Sequence, residues 1–348
     1  MRTRAFAVVK ARAPIFRSGS DTYRIDAQVA QRHALATGRA QIRGLTHGNY
    51  IGGPLPNGTL PGLSSVGWMN MVGEQDWGIE PHRNEGVEIV FVEAGETPFM
   101  VDGDRADIRA GDLTVTRPWQ LHQLGNPNIG AMRLHWVIID VGVRRPNQPW
   151  HWPSWVVLSA ADKEELTVRL SQNEKAICRG TPAVERAFDR IADVLHHPEP
   201  ISRLSQLTVH LNVLFLELLD ILRREAVSND PHLVSHERTI ELFMRDLKGN
   251  LASLAQPWTL QTMAAECGLG PTAFRKYCRK ISNASPMDFL KRCRLEMAAK
   301  LLTEFKSRPV TDIAFDCGFS SSQYFSYQFR RTYGHSPLAH RKGHRVVH

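Results

Sequence analysis

The sequence of 348 residues predicts a two-domain α+β protein, an antiparallel β-barrel with following helices and then an all-α domain of two helix-turn-helix units. Three observations carry this expectation. The stretch from Trp258 to Arg341 writes one pattern twice: Ala264, Cys267-Gly268-Leu269, Phe274 and Cys278, then Ala314, Cys317-Gly318-Phe319, Phe325 and Phe329. From Ser65 onward the chain breaks into short β-branched and aromatic segments punctuated by glycine. Charge is segregated as well, at +7 over residues 1–43, −8 over 44–236 and +9 over 237–348.

Composition narrows the class. Residues 1–43 hold nine Lys/Arg against two Asp/Glu, and are expected as a basic, disordered tail that resembles a transit peptide only superficially. The five cysteines form no C-x-x-C pair, and four of them fall at apolar positions of a helical pattern. Buried thiols in a reduced, cytoplasmic chain are the expectation, with little support for zinc or redox chemistry. No apolar run reaches the roughly 18 residues of a membrane span.

Strands are expected at 66–71, 87–92, 99–101, 113–116 and 132–139, with Asp102-Gly103 as a hairpin turn. Trp136, Trp150, Trp152 and Trp155 crowd together behind them, and flat aromatic faces suit the wall of a ligand cavity. Past Pro153 the pattern turns helical. Ser159 and Asp162 form a capping box, and Thr181-Pro182 opens a helix with Val184, Phe188, Ile191 and Leu195 on one side. Leu204, Leu207, Leu211, Leu214, Leu218 and Ile221 then follow at heptad spacing. Such a seam can zip two protomers together, or it can lie on its own barrel. The barrel is assigned to 44–158, the helical dimerisation segment to 159–225, the linker to 226–236 and the C-terminal domain to 237–348.

In each C-terminal copy a small residue lets two helices approach, and a glycine four positions later supplies the positive φ of a tight turn. Phe274 with Cys278, and Phe325 with Phe329, sit at i and i+4 on the buried stripe of the second helix, which leaves the opposite face outward. Ser285-Pro286 starts a connecting helix expected over 287–303.

These residues resemble a known family. Ile313-Ala314-Phe315-x-x-Gly318-Phe319-Ser320, Tyr324-Phe325-Ser326-x-x-Phe329-Arg330-Arg331-x-x-Gly334-x-Ser336-Pro337 and Arg341 look like the signature of AraC/XylS-type transcriptional regulators. The resemblance implies double-stranded DNA as partner, with RNA polymerase as a further one. DNA-contacting residues would be Thr272, Arg275, Lys276 and Arg279 in the first unit, and Ser321, Ser322, Gln323, Ser326, Tyr327, Arg330 and Arg331 in the second. Arg275 suits guanine and Gln323 adenine, whereas Arg330 and Arg331 suit phosphates. Tyr327 departs from the family pattern, which commonly has Arg there.

Pro81-His82-x-Asn84-x-x-x-Glu88, Gly95, Gly111-Asp112 and Pro118-x-x-x-His122 look like the small cupin barrel that many such regulators carry as a sensor. Asn84 stands where metal-binding cupins have a histidine, leaving His82, Glu88 and His122 as ligands. The resemblance implies a cavity for a small-molecule effector with His82, Glu88 and His122 in its wall and no cofactor. Trp136 and Arg133 are added as binding residues on their chemistry, because a flat aromatic face suits the C–H faces of a sugar and equally a planar aromatic acid. A sugar or similar metabolite is the effector expected. Arg117 and Arg133 could meet an anionic group. A cupin metalloenzyme fused to a DNA-binding module is the alternative.

Overall fold

The computed structural model describes residues 28–47, 50–196, 203–225 and 229–343, and it divides into two compact units that part between Ser235 and His236. The first unit opens with α1 (Gln28–Ala36) and β1 (Ala40–Thr46). Its remaining strands are β2 (Gly53–Pro54), β3 (Leu63–Met71), β4 (Val87–Val101), β5 (Asp104–Arg109), β6 (Asp112–Thr116), β7 (His122–Leu124), β8 (Met132–Ile139) and β9 (Ile177–Arg179). The strand order is β2-β1-β3-β8-β4-β6-β9, with β5 and β7 also paired to β4.

Two boundaries differ from the expectation. Residues 1–27 of the basic tail lie outside the described residues. The sheet nonetheless begins inside the stretch assigned to that tail, because β1 pairs antiparallel with β3 from Ala40 opposite Met71 to Thr46 opposite Ser65. Ala40 and Leu45 are buried there, although the arginines around them dominate the composition. The separate strands expected at 87–92 and 99–101 are one strand, β4. A register shift between Val92 and Ala94 bends it, so that its first half pairs with β6 and β8 and its second half with β5 and β7.

Three helices follow the barrel: α2 (Ala160–Ser171), α3 (Pro182–His196) and α4 (Arg203–Arg224). Ser159 caps α2 by accepting from the Asp162 backbone N–H. The inner side chains of α3 lie on the outer face of the sheet, where Phe188 stacks on Phe91 with ring centroids 5.7 Å apart. Strands β4 and β8 are therefore covered on both sides, by the barrel interior and by α3.

The heptad seam takes the inward course. Leu207, Leu211, Leu214 and Leu218 are fully buried, and Phe215, Leu219 and Leu222 are buried beside them, so the seam is spent on packing within this unit rather than presented to a second protomer. By length and composition α4 could cross a membrane, but its buried leucines are explained by packing within the unit. What α4 leaves exposed is a shorter stripe, Val209, Val213 and Leu216. Of the expected linker, 226–228 lie outside the described residues, and Pro231–Val234 forms a 3-10 turn.

The second unit is helical: α5 (His236–Gly249), α6 (Leu251–Ala255), α7 (Leu260–Glu266), α8 (Pro271–Ser282), α9 (Pro286–Glu304), α10 (Val310–Asp316), α11 (Ser322–Tyr333) and α12 (Pro337–Arg341). Thr259, Ser285, Ser321 and Ser336 cap α7, α9, α11 and α12 with their hydroxyls. The duplicated pattern folds as its spacing predicts. Ala264, Ala314, Phe274 and Phe325 are fully buried, and Gly268 and Gly318 turn at φ 67° and 81°. Cys267, Cys278, Cys293 and Cys317 are buried, and burial pushes the Cys278 and Cys317 thiols up to about 12.

Arg294 of α9 ties the unit together by donating to the carbonyls of Leu254 at 2.9 Å and Gln256 at 2.7 Å. A Cβ at Gly318 would stand 2.6 Å from that same Leu254 oxygen. Gly318→Ala should therefore cost about 2–3 kcal/mol, from left-handed strain and the clash together. Gly249→Ala, which meets nothing within 4 Å, should stay within about 1 kcal/mol of the parent. Hydrogen exchange over α6 to α11 in the full chain reads the difference, and equal protection in the two variants contradicts it.

Candidate binding cavity and nucleic-acid interface

The alternation of β4 and β8 decides what the barrel encloses. Glu88 and Val90 of β4 point inward with Leu134, Trp136 and Ile138 of β8, and all line a cavity of about 120 Å³. That is comparable with interior cavities that admit a benzene-sized molecule. Met69, Ile79, Phe99 and Leu124 supply further apolar wall, while Gln31, Tyr50, Ser65 and Thr114 add polar groups. Trp136 lies across β3 because Gly67 has no side chain; a Cβ there would run into the indole. Its Nε1–H donates to Ser65 Oγ at 2.8 Å, which fixes the ring plane.

His82, Asn84, Glu88 and His122 form one polar cluster in this wall. The loop before β4 is stitched to β7 by two backbone bonds, His82 N–H to His122 O at 2.9 Å and His122 N–H to His82 O at 3.0 Å. The two imidazole rings lie 4.2 Å apart. His122 Nε2 meets Glu88 Oε2 at 2.7 Å, and Asn84 Nδ2 donates to the same oxygen at 2.9 Å. This orientation of the Asn84 amide leaves its Oδ1 buried without a hydrogen bond among the described residues.

The charges follow from these contacts. Burial by itself would raise the Glu88 carboxyl, but the hydrogen bond and charge of His122 outweigh it and hold the group below its ordinary value. Burial likewise opposes a charged His122, and the Glu88 carboxylate reverses this, raising the imidazole. His82 is pushed down to about 4, first by burial and then by the positive His122 beside it. Glu88 and His122 thus each favour the other's charged form, whereas His82 is neutral at neutral pH.

The structure brings together four of the five residues expected around the effector: His82, Glu88, His122 and Trp136. Arg133 is the exception. It falls at the opposite parity of β8, outside the barrel, where its Nε–H donates to Glu93 at 2.7 Å. The same Glu93 accepts from Trp68 Nε1–H at 3.0 Å, and His135, whose Nε2 lies 3.3 Å away, leads the causes that hold its carboxyl down at about 2. Arg117 faces Asp102 at 3.6 Å. Trp152 and Trp155 do not line the cavity either; they pack on Phe215 of α4, with centroids 5.8 and 6.3 Å apart. Tyr50, Ser65 and Thr114 were missed, and the inward parity of the two strand residues was the only sequence signal for any of them.

In the second unit, α8 exposes Thr272, Arg275, Lys276 and Arg279, and α11 exposes Gln323, Tyr324, Tyr327, Arg330 and Arg331. Lys280 pairs with Glu237 at 2.7 Å, whereas Arg275, Lys276, Arg279, Arg330 and Arg331 make no ion pair among the described residues. Ser322 and Ser326 are half-buried. Ser321 is committed to its helix, accepting from the Tyr324 backbone N–H at 3.2 Å.

Removing His122 should strand Glu88 as an unpaired buried charge. His122→Leu is expected to cost about 3–5 kcal/mol, with much of the loss recovered in the double variant with Glu88→Gln. Glu88, lowered on folding, stabilises above its ordinary 4.5 and loses this as pH falls through its folded value. His122, raised on folding, stabilises below its ordinary 6.5 and loses this as pH rises through its folded value. The pair's contribution is complete between those two values. Urea unfolding from well below pH 4.5 to well above pH 6.5 measures it, and a His122→Leu profile parallel to the parent's on both flanks of that window would refute the assignment.

Comparison with known proteins agrees with both units. A helix-turn-helix domain model matches residues 263–343 and a cupin domain model matches residues 69–138. The transcriptional activator RhaS of Klebsiella pneumoniae (strain 342) is 31% identical over 140 residues, which are 39% of this chain and 46% of RhaS. The virulence regulon activator VirF of Yersinia enterocolitica is 27% identical over 164 residues, 45% of this chain and 55% of VirF. The chain spans about half the length of the curated relatives it matches. Among solved structures, the DNA-binding domain of AdpA in complex with a target DNA is 29% identical, with a TM-score of 0.26, over 28% of this chain and 86% of that one. The chain carries an AraC-type helix-turn-helix domain and, ahead of it, a cupin domain.

Proposed function

We propose that the protein is a cytoplasmic, sequence-specific DNA-binding transcription regulator that responds to a small molecule held in the cupin cavity, and that it is not an enzyme. One observation carries the reading. Two glycine-turned units in one compact domain present α8 and α11 outward with cations that no acidic side chain neutralises among the described residues. Exposed, uncompensated cations on paired recognition helices suit phosphates and base edges. The relatives RhaS and VirF are named as activators, which favours activation, with RNA polymerase as the further partner.

The cavity favours an uncharged, hydroxyl-bearing effector such as a sugar or a similar small metabolite. Glu88 and His122 compensate each other, and Arg133 is engaged outside the barrel, so the wall offers no spare cation to a carboxylate. Asn84 Oδ1 would accept from a ligand hydroxyl, and the face of Trp136 would cover C–H groups. Dimerisation would use the exposed stripe Val209, Val213 and Leu216 of α4 rather than the buried seam. Val157 adjoins the stripe, because its N–H donates to Asn212 of α4 at 2.8 Å and it is itself 76% exposed.

A second reading has a specific observation behind it. The ligand atoms of His82, Glu88 and His122 lie within 4.8 Å of one another. The Nδ1 atoms of both histidines face backbone carbonyls, at 2.8 and 2.9 Å, so a metal ion would be met by the Nε2 atoms, that of His122 exchanging its present bond to Glu88. The residues fit a divalent cation of the borderline class with three ligands, and such an ion would polarise a bound oxygen.

The regulator reading is tested on duplex DNA selected from a random pool by the full chain. Arg275→Ala should lose about 1–3 kcal/mol of discrimination at one base pair. Arg331→Ala should weaken all sequences alike and reduce the salt slope by about 1. The double variant Val213→Asp, Leu216→Asp should sediment as a monomer with unchanged circular dichroism. Parallel losses on selected and random DNA for Arg275→Ala would contradict base reading, and a dimeric double variant would sink the stripe.

A thermal-shift screen of the full chain against sugars, aromatic acids and divalent metals, with chelator controls, separates the cavity readings. A sugar at about 100 times its Kd should add about 2.7 kcal/mol. A shift from metal alone, abolished by chelator, would instead favour the metal site.

A further inference from the structure

We propose that the two recognition helices read different bases: α8 a guanine-containing segment, and α11 an A·T segment whose thymine methyls pack against Tyr324 and Tyr327. This rests on the DNA-binding reading above and names the sequence class that the site recognises.

The buried residues give the register between the helices. Phe274 corresponds to Phe325 and Cys278 to Phe329; all four are buried to 1% exposure or less. Thr272 then matches Gln323, Arg275 matches Ser326, Lys276 matches Tyr327, Arg279 matches Arg330 and Lys280 matches Arg331. Cations shared by both helices therefore lie toward their C-terminal ends, a place suited to phosphates. The helices differ one to two turns earlier, where a recognition helix brings side chains to base edges. There α8 has Arg275 and Lys276, and α11 has Ser326 and Tyr327.

The chemistry of the two sets is distinct. An arginine fork matches guanine O6 and N7, and a glutamine amide matches adenine N6 and N7, while an apolar surface is what a thymine methyl requires. Tyr327 is 60% exposed and Tyr324 47%. Neither ring is needed to close the core, which Phe319, Phe325 and Phe329 fill. Neither phenol makes a hydrogen bond among the described residues. With Gln323 on the same outward face and Arg330 and Arg331 behind, the pair forms an apolar surface bordered by positive charge. That combination fits a methyl-bearing groove on a polyanion better than it fits a protein partner. Within the domain, α9 separates the two units by 19 residues, about 28 Å of helix at 1.5 Å per residue, so the two segments belong to neighbouring major-groove faces on one side of the duplex.

The test uses the full chain and sites selected from a random duplex pool, with Kd read by fluorescence anisotropy at fixed salt. Enriched sites should contain one guanine-bearing and one A·T-bearing segment roughly one helical turn apart. Deoxyuridine in place of thymine in the A·T segment should weaken binding about 4-fold per contacted methyl. The double variant Tyr324→Ser, Tyr327→Ser should lose that sensitivity, while circular dichroism confirms that the exposed substitutions leave the fold intact. In the other segment 7-deazaguanine should weaken binding about 10-fold, and Arg275→Ala should abolish this effect. Enriched sites whose affinity ignores thymine methyls, or whose methyl sensitivity survives the double Tyr324→Ser, Tyr327→Ser variant, overturn the proposal while leaving DNA reading intact. A pool with no enriched sequence overturns both.

Discussion

Strands β4 and β8 are buried on both faces, and the function of the first unit depends on which residues take which face. Even-numbered positions of both strands, Glu88, Val90, Leu134, Trp136 and Ile138, line the cavity. Odd-numbered Phe91 and His135 meet Phe188 of α3, with ring centroids 5.7 and 5.4 Å away. A slip of one residue would exchange these sets. It would put a carboxylate under a phenylalanine and place Phe91 in the cavity. The Glu88–His122 pair, the Trp136 plane and the packing of α3 are thus consequences of one register, locked by Phe188 outside and by the cluster inside.

The second unit is held by a different device. Each half uses the same glycine turn and the same buried small residue, but Arg294 joins the halves through the carbonyls that end α6. Burial pushes the Arg294 guanidinium below its ordinary value, a cost that its two carbonyl acceptors offset. A polar tie in an otherwise apolar interior specifies one arrangement of α6, α9 and α10, whereas greasy surfaces alone could slide. A fixed spacing of α8 and α11 needs that uniqueness more than it needs added stability.

How much of this was legible depended on how local the signal is. The duplicated pattern was readable because a glycine turn and an i, i+4 pair are fixed by near neighbours in sequence. Strand β8 and helix α9 came out within a residue of their expected bounds for the same reason. The continuity of β4 was hidden by Gly95 and Pro98, which read as a break but follow a register shift at Ala94 in an unbroken strand. The heptad of α4 was visible, yet spacing says only that a face is apolar. It does not say what covers it, and α3 does so here. Arg133 was misplaced because its charge was weighed and its strand parity was not: once Trp136 is inward on β8, an odd-numbered neighbour must face outward. Tyr50 reaches the cavity from a loop, and no periodicity marks such a residue.

The opposite charges of the two halves gain a physical meaning from this architecture. Residues 44–236 carry a net charge of −8 and residues 237–348 carry +9. Nonspecific affinity for duplex DNA comes from cations that displace condensed counterions. An acidic first unit would be repelled by phosphates, so in the proposed function the cationic attraction is confined to the helix-turn-helix domain. Inside the sensor the same economy holds on a smaller scale. The Glu88 carboxylate is matched by His122, and His82 stays neutral, so the cavity presents shape and hydrogen-bonding groups rather than net charge. On the proposed function, recognition of an uncharged ligand there would be decoupled from the salt-dependent electrostatics of DNA binding.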